Sequence, residues 1–336
     1  MNVLFCSVGR KGELIKNVKS TLDRDSKIIA TDCDNTAPAL YFADKHYIVP
    51  RITDDRYLST LLAICEKEDI HSVTTFIDPE IELLAQHRAL FESIGVEVLA
   101  PYTVTAAICY DKFKMYQYLT ERQINTVKTY GDLDSFNSDF KRGRCSLPVF
   151  VKPRTGSGSV GARKVDTYET VKELCRQSPD LIIQEFMDGD DIDADVYVDT
   201  ISHQAVSIFT KKKLETTIGG ANKTISFKDP QLFTAIQELM SHFKFNGPID
   251  MDFFYRDGEY YLSEINPRFG GAYLHAYGCG VNFIKLILNN LNGIENECEI
   301  GDYESNVLMM MYDSVVILKQ QELAGSLLKV ASKVRG

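Results

Sequence analysis

The chain has 336 residues, of which 44% are hydrophobic and 25% charged, a composition typical of a globular protein with a substantial core and unlike that of disordered or fibrous chains. Its 37 basic and 47 acidic residues give a net charge of −10, so we expect no general affinity for nucleic acid and only locally built sites for anions. The eight cysteines form no C-x-x-C pair and no apolar run reaches transmembrane length, so we expect a cytoplasmic protein with reduced thiols and no contact with membranes.

The first hundred residues alternate between short apolar strands and helices. Strands are predicted over residues 2–8, 27–32, 46–49, 72–77 and 96–99, and helices over 13–22, 57–67 and 82–94. This alternation predicts a doubly wound parallel sheet, whose ligands would lie at the carboxyl ends of the strands, near residues 9–12, Asp32 and 78–80. The Gly-x-x-Gly at 9–12 has two interpretations: a tight strand-to-helix turn, which we favour, or an auxiliary role in holding a second substrate.

Residues 147–161 carry a glycine pattern found in dinucleotide-binding proteins. The segment 156–161 matches G-x-G-x-x-G, which in those proteins opens a helix directly. Here a short strand over 162–165 follows, and the predicted helix over 168–176 begins only after Asp166 and Thr167, which fit a helix cap. No dinucleotide site is therefore predicted at this segment.

We instead predict a strand–loop–strand flap, because a loop of small residues can lay backbone N–H groups over a polyphosphate and close after it binds. Lys152, on the strand that feeds the loop, is placed to meet phosphate charge. The flap residues expected to contact the nucleotide are Gly156, Ser157, Gly158 and Ser159. The alternative is a mobile hairpin without a ligand.

The strand predicted over 181–187 ends in residues that could read a nucleoside. Glu185 could accept an amino proton of adenine, and the backbone of Phe186 and Met187 could complete a base-reading edge. Asp191, a few residues on, could accept hydrogen bonds from ribose hydroxyls. In isolation this segment, with the alternating acidic face over 192–199, is better explained as a solvated edge strand. Its position between the flap and the hairpin described below favours a nucleotide site.

A run of three lysines follows the strand predicted over 205–210, and a polar loop over 215–223 follows the lysines. Because alternate residues of an extended chain share a face, Lys211 and Lys213 are expected to point the same way. Such a run is usually a solvated face. In so acidic a chain, beside a triphosphate site, we interpret it as a contact to phosphate or substrate.

The most informative stretch is a β-hairpin late in the chain, after a helix predicted over 231–243. Two apolar-aromatic runs, 248–255 and 260–264, are joined by a loop carrying Asp-Gly. Pairing around this turn would bring together Asp252, Glu264 and Asn266, whose oxygen atoms suit Mg²⁺. Arg268 follows at once and could grip a phosphoryl oxygen. The alternative is a surface hairpin with a solvated acidic end.

The end of the chain is predicted to complete the core. Residues 273–280 are expected to line a substrate pocket, and 282–292 to form an amphipathic helix. A strand over 307–318, with its methionines packed in the core, and a closing helix over 323–333 are expected to follow.

These elements, in this order, resemble the ATP-grasp superfamily, and in particular a single synthetase unit of the carbamoyl-phosphate synthase large chain and the related carboxylate–amine ligases. The motifs that carry the resemblance are Asp111-Lys112, Val151-Lys152-Pro153, the flap, Gln184-Glu185-Phe186-Met187 and Glu264-Ile265-Asn266-Pro267-Arg268. The implied architecture is a pre-ATP-grasp α/β domain (1–108), two ATP-grasp lobes (109–183 with the flap and 184–300 with the hairpin), and a C-terminal strand and helix (301–336).

The resemblance also implies roles for the motif residues. Lys112 and Lys152 would contact phosphates; Gln184, Glu185, Phe186 and Met187 would surround adenine, and Asp191 the ribose. One or two Mg²⁺, for which Mn²⁺ could substitute, would bind Asp252, Glu264 and Asn266. Arg268, with Lys211 and Lys213, would act on the transferring phosphoryl group.

The implied activity is that of an ATP-dependent carboxylate–amine ligase, in which a carboxylate becomes an acyl phosphate and an amine then displaces phosphate. The expected partners are small-molecule carboxylate and amine substrates, with a homodimer as the expected assembly. Two rival interpretations remain at this point: a nucleotide-binding module without catalysis, and an NAD(P)-binding oxidoreductase, for which a fingerprint opening a helix in the first domain is missing.

Overall fold

The structure, a computed structural model, describes residues 1–156, 161–217 and 220–323. The first part of the chain forms a five-stranded parallel sheet in the order β3-β2-β1-β4-β5. Its strands are β1 (Asn2–Cys6), β2 (Lys27–Asp32), β3 (Lys45–Ile48), β4 (Ile70–Thr75) and β5 (Glu97–Val98). Its helices are α1 (Gly12–Thr21), α2 (Tyr57–Lys67), α3 (Asp78–Gln86) and α4 (Arg88–Ser93), with a 3₁₀ helix at Pro38–Phe42. The predicted doubly wound parallel sheet is confirmed.

The single helix predicted over 82–94 is wrong, because the chain forms α3 and α4 with a break at His87. The break turns Arg88 inward, where it is 8% exposed and donates a hydrogen bond to the carbonyl oxygen of Val98 at 2.9 Å. A buried guanidinium needs hydrogen-bond acceptors, which here come from another part of the chain. This tertiary interaction outweighs the helical periodicity that predicted one continuous helix.

A four-stranded antiparallel sheet, in the order β6-β9-β7-β8, carries the flap. Its strands are β6 (Thr129–Tyr130), β7 (Val149–Pro153), β8 (Arg163–Val165) and β9 (Leu181–Glu185). The accompanying helices are α5 (Thr103–Tyr110), α6 (Lys112–Glu121), α7 (Leu133–Lys141) and α8 (Tyr168–Gln177). β7 pairs directly with β8, and α8 begins only after Thr167, whose hydroxyl accepts from the N–H of Thr170. The predicted strands on either side of the glycine segment are confirmed as a pair, while Ser157, Gly158 and Ser159 of the predicted flap lie outside the described residues.

The third sheet has six strands in the order β14-β13-β10-β11-β12-β15, each antiparallel to its neighbours. Its strands are β10 (Asp190–Val198), β11 (Ala205–Thr217), β12 (Gly220–Phe227), β13 (Gly247–Arg256), β14 (Glu259–Asn266) and β15 (Leu308–Met310). The helices are α9 (Pro230–Ser241), α10 (Tyr273–Gly278) and α11 (Phe283–Leu291), and a 3₁₀ helix follows at Gln320–Glu322. The predicted late hairpin is β13–β14.

Two expectations for this third part of the chain are wrong. Of the polar loop expected over 215–223, residues 215–217 belong to β11 and 220–223 to β12, with an ion pair of 2.7 Å between Glu215 and Lys223, while 218 and 219 lie outside the described residues. Of the strand expected over 307–318, only β15 is strand, and Leu308 and Met310 are 55% and 65% exposed, so this segment does not pack in the core. Most of the predicted closing helix lies in residues 324–336, outside the described part of the chain.

The first sheet packs directly against the chain that follows the hairpin. Phe76, just after β4, stacks near Phe5 and lies 6.2 Å from Phe269, measured between ring centroids. Phe269 and Tyr273 belong to the same buried apolar cluster as β1 and α1. This packing brings the carboxyl ends of β1 and β4 beside Arg268. No helix in the described ranges is long and apolar enough to cross a membrane.

Candidate functional site

A cleft of about 560 Å³ lies between the four-stranded and six-stranded sheets, and the carboxyl end of the first sheet borders it. Most of the predicted site residues line this cleft: Lys112, Lys152, Gly156, Gln184, Glu185, Phe186, Met187, Asp191, Lys213, Asp252, Glu264, Asn266 and Arg268. Of the predicted residues that the structure describes, Lys211 alone is missing from the lining. Motifs spread over more than 150 positions of the sequence therefore converge on one volume.

The carboxylates of the hairpin project from one face of β13 and β14. In the register of these strands Asp252 lies opposite Glu264, and Asp250 lies opposite Asn266, so all four side chains share that face. The amide nitrogen of Asn266 donates to carboxylate oxygens of Asp250 and Asp252, both at 3.4 Å. These four side chains therefore offer mainly oxygen atoms on one face of the hairpin.

Two lysines from the other side of the cleft neutralise Glu264. The ammonium group of Lys152, on β7, donates to Glu264 Oε1 at 3.0 Å, and that of Lys112, at the start of α6, lies 3.9 Å from the same oxygen. Burial would raise the pKa of Glu264, but the charges of Lys152 and Lys112 outweigh it and lower that pKa. Glu264 is therefore ionised at neutral pH, as a metal ligand must be.

Lys213 lies in the cleft between carboxylates of two neighbouring strands. Its ammonium group pairs with Asp252 on β13, and with Asp191 on β10 at 2.9 Å. Burial would lower the pKa of Lys213, but the charges of Asp252 and Asp191 outweigh it and raise that pKa. The carboxylate expected to contact ribose, Asp191, is thus paired with a lysine in this structure.

Lys211 does not reach the cleft, contrary to the expectation that it contacts phosphate or substrate. Its side chain is 0% exposed and pairs with Asp193, at 2.9 Å, and with Asp195. Oxygen atoms of Asp193, Asp195 and Asp250 lie within 4.8 Å of one another, and the ammonium group of Lys211 offsets part of their charge. We name Lys211 with these three aspartates the buried ionic cluster.

The sequence contained a signal for this cluster. Asp191, Asp193 and Asp195 alternate on β10 and face Lys211 and Lys213, which alternate on β11. The alternation indicates that these side chains share a face of the sheet, but a spacing of two residues does not indicate how deeply each one is buried. Asp193 and Asp250 also line the cleft and were not predicted as site residues.

The opposite end of the cleft is less polar. Phe150, Phe186, Met187 and Phe254 line it, and Lys164 lies 4.2 Å from the ring centroid of Phe186. Glu185 is paired with Arg256 at 2.9 Å, while the side-chain amide of Gln184 donates to Thr129 Oγ1 at 3.0 Å. Flat apolar walls beside a carboxylate acceptor suit a nucleobase.

The first sheet contributes residues from two segments that the sequence analysis named as a ligand location but did not connect with the nucleotide cleft. Arg268 Nε donates to Asp78 Oδ1 at 2.9 Å, and its Nη1 to Asp250 Oδ2 at 3.5 Å. Asp78 is the first residue of α3, and Lys11, just before α1, lines the same cleft. The carboxyl ends of β1 and β4 were named as a ligand location, but nothing in the sequence linked them to an arginine 190 residues further on.

Comparison with known protein families gives two matches that follow one another along the chain. Residues 3–99 match the family described as PylC-like, N-terminal domain. Residues 109–272 match the family described as ATP-grasp domain. The first match covers the parallel sheet, and the second covers the flap, the hairpin and Arg268.

Individual relatives are distant. A carbamoyl-phosphate synthase of Methanobrevibacter smithii is 25% identical in an alignment that covers 79% of this chain and 74% of that protein. D-alanine–D-alanine ligase A of Clostridium perfringens is 26% identical in an alignment that covers 43% of this chain and only 52% of that protein.

Among solved structures, the biotin carboxylase domain of 2-oxoglutarate carboxylase from Hydrogenobacter thermophilus superposes with a TM-score of 0.68 at 15% identity, covering 91% of this chain and 73% of that one. At this identity the likeness concerns the fold. The two family matches show that the chain has a PylC-like N-terminal domain followed by an ATP-grasp domain.

Proposed function

We propose that this chain is a ligase that uses ATP and Mg²⁺ to phosphorylate a small-molecule carboxylate and then joins the acyl phosphate to an amine. The observation that carries the proposal is the cleft itself. In it the carboxylates of Asp252 and Glu264 pair with lysines of β7, β11 and α6, namely Lys152, Lys213 and Lys112. Arg268 lines the same cleft. Phosphoryl transfer requires mainly such positioning and neutralisation of charge.

The hairpin residues fit a hard divalent cation. Asp252, Glu264 and Asn266 offer oxygen atoms from one face of β13–β14, and a lysine ammonium already pairs with each of the two carboxylates. Mg²⁺ takes one or two carboxylates together with phosphate oxygens, which matches this set. One or two bound Mg²⁺, or Mn²⁺ in their place, would neutralise charge on the phosphate oxygens.

The nucleotide would extend from the hairpin to the apolar end of the cleft. Lys112 and Lys152 would hold phosphate oxygens, in exchange for their present pairing with Glu264. Glu185 and the backbone of Met187 would hydrogen-bond to adenine, which would lie between Phe186 and Phe254. The hydrogen bond from Gln184 to Thr129 would hold this end of β9 in place. Asp191 would accept from the ribose hydroxyls.

In the proposed reaction an oxygen of the substrate carboxylate attacks the γ-phosphorus of ATP, and ADP leaves with the electron pair of the broken bond. The amine nitrogen then attacks the carbonyl carbon of the acyl phosphate, loses a proton, and expels inorganic phosphate. Arg268 and Lys213 would offset charge on the phosphoryl oxygens during the first step. The facing sheets would exclude water from the acyl phosphate.

The relatives support this class of reaction, because one is named a carbamoyl-phosphate synthase and the other a D-alanine–D-alanine ligase. The Hydrogenobacter domain was crystallised with MgADP and bicarbonate, which supports a magnesium nucleotide in the cleft. That domain was crystallised as a dimer. A homodimer of this chain, like its cytoplasmic location, stays a prediction.

The test is release of ADP by the purified protein with ATP, Mg²⁺ and pools of carboxylates and amines. We expect release that depends on one carboxylate, and an amide product when an amine is added. Glu264→Ala and Lys152→Ala should each lower this rate on the order of 100-fold. Glu259→Ala, an exposed position on the same strand β14, is the matched control and should keep the rate.

Two outcomes would contradict the proposal. Normal ADP release by both cleft variants would mean that the hairpin and β7 are not the site. Tight ATP binding without ADP release in any pool would instead favour a nucleotide-binding module without catalysis.

A further inference from the structure

Lys11 is a cation in the cleft without a partner. In the ranges that the structure describes, its ammonium group makes no hydrogen bond and no ion pair within 4.0 Å, although its side chain lines the cleft and is half-buried. The other cleft lysines, Lys112, Lys152 and Lys213, each pair with a carboxylate. A partly desolvated ammonium without a counter-ion is costly, which points to an anion supplied from outside the chain.

The loop that carries Lys11 is fixed in place. Its own backbone N–H donates to the carbonyl oxygen of Val8 at 3.0 Å, and the N–H of Gly9 donates to Asp32 Oδ2 at 2.8 Å. Gly9 has a φ of +48°, and a Cβ at Gly12 would lie 2.7 Å from the Phe42 ring, so the turn depends on both glycines. The two glycines therefore fix Lys11 at the carboxyl end of the first sheet, beside the cleft.

Arg268 is the second cation at this place. Its Nε is held by Asp78 and its Nη1 by Asp250 and the carbonyl oxygen of Phe269, which leaves Nη2 without a hydrogen bond in the described part of the chain. Burial, followed by the positive charge of Arg268, lowers the pKa of Lys11, and the charges of Asp250 and Asp78 do not offset this. Both of those carboxylates are engaged by Arg268.

We propose that Lys11 and Arg268 together hold the acceptor carboxylate, so that the N-terminal domain supplies half of the acceptor site and Asp78 positions the arginine. This inference rests on the proposed function and assigns its substrate site. The substrate class is a small free carboxylate whose reacting oxygens lie between the two cations. The remainder of the acceptor then faces the loop after β1 and the start of α3, which would select among carboxylates.

The first test measures protection of individual lysines. Trace labelling with acetic anhydride, quantified by mass spectrometry, is compared with and without a magnesium complex of a non-hydrolysable ATP analogue. Acetate, propionate or lactate is then added as the carboxylate probe, since none carries an amine that consumes the reagent. We expect the nucleotide to protect Lys152 and the carboxylates to protect Lys11. Lys16, an exposed partner of Glu13 on α1, is the reference and should not respond.

The second test uses variants. With the carboxylate that stimulates ADP release, Lys11→Met should raise KM for that carboxylate about 10-fold to 100-fold and leave KM for ATP within about twofold. Lys11→Arg should recover part of the loss. Lys27→Met, at the exposed first position of β2, is the matched control and should behave as the unmodified protein. Melting temperatures separate a folding defect in Lys11→Met from a loss of carboxylate binding.

The outcomes separate the two proposals. If Lys152 is protected by nucleotide but none of the three carboxylates protects Lys11, the acceptor site is wrong and the nucleotide site stands. If the nucleotide does not protect Lys152, the proposed function itself fails. An equal rise in both KM values in Lys11→Met would also overturn the assignment, because it would indicate a general distortion of the cleft.

Discussion

Replacing Lys211 with methionine removes the buried cation of the ionic cluster and keeps an apolar stem of similar length. Lys211 is 0% exposed, and its partners Asp193 and Asp195 are 4% and 1% exposed. Without the ammonium group, Asp193 and Asp195 lose their ion-pair partner, and Arg268, which pairs with Asp250, is the cation that remains beside the three carboxylates. We therefore predict a large loss of stability from a residue that sequence reasoning assigned to the substrate.

The size of the loss follows from burial. Removing one partner of a buried ion pair costs about 3–5 kcal/mol, because the remaining charge stays desolvated. The neighbouring residue Lys212 provides the matched control, since it pairs with Asp190 at 2.6 Å but both side chains are more than 40% exposed. An exposed pair contributes about 0–1 kcal/mol, so Lys212→Met should cost little.

The assay is urea unfolding of both variants, followed by circular dichroism at neutral and at acidic pH. Burial, against the opposing charge of Lys211, raises the pKa of Asp195 from 3.8 to about 6. A carboxyl whose pKa is raised on folding binds its proton more tightly in the folded state, so acidification favours that state between about pH 6 and pH 4. The charge of Lys211 lowers this pKa, so removing Lys211 raises the pKa of Asp195 further, and the variant gains stability on acidification already above about pH 6, where the unmodified protein does not. The stability gap between Lys211→Met and the unmodified protein should therefore narrow as the pH falls from neutral toward about 6. Adding Asp195→Asn to the variant should recover part of the loss at neutral pH.

One result would refute the reasoning. If Lys211→Met unfolded at the same urea concentration as Lys212→Met but had lost ATP turnover, Lys211 would act in the cleft. The buried ionic cluster would then have no structural role.

Two further predictions concern buried carboxyls away from the cleft. Burial raises the pKa of Glu80 from 4.5 to about 8, so the folded protein keeps a proton that the unfolded chain has lost, and stability should fall by about 1.4 kcal/mol per pH unit between those values. Glu80→Gln should flatten this slope in urea unfolding, and an unchanged slope would exclude Glu80 as its source. Asp199 is 0% exposed and accepts hydrogen bonds from Asn290 and Asn296 at 2.7 Å and 2.8 Å. Asp199→Ala should cost about 3 kcal/mol because both amides lose their acceptor, and a cost below about 1 kcal/mol would contradict that role.

Much of the fold could be predicted from the chain because its signals are local. Strand and helix alternation over the first hundred residues predicted the parallel sheet, and Asp-Gly between two apolar runs predicted the pairing of β13 with β14. The flap was predicted because the glycines precede a strand and not a helix. Each of these features depends on neighbouring residues and on backbone preferences.

The expectations that were wrong depend on tertiary position. The alternation of Lys211 and Lys213 indicates a shared face, but only the packing of the third sheet places the first in the core and the second in the cleft. The residues of β11 and β12 within 215–223 are mostly polar, so they lack the apolar period that identifies a strand from sequence. Contact between Arg268 and Asp78 joins distant parts of the chain, which no local pattern reports.

Diffraction from crystals grown with Mn²⁺ and a non-hydrolysable ATP analogue tests the metal site most directly, since the anomalous signal of manganese distinguishes the ion from water and from the lighter protein atoms. We predict a peak bound by Asp252, Glu264 and Asn266, beside the phosphates of the nucleotide. A peak within the buried ionic cluster of Asp193, Asp195 and Asp250, or no peak on the β13–β14 face while the nucleotide is bound elsewhere, would contradict the proposed site.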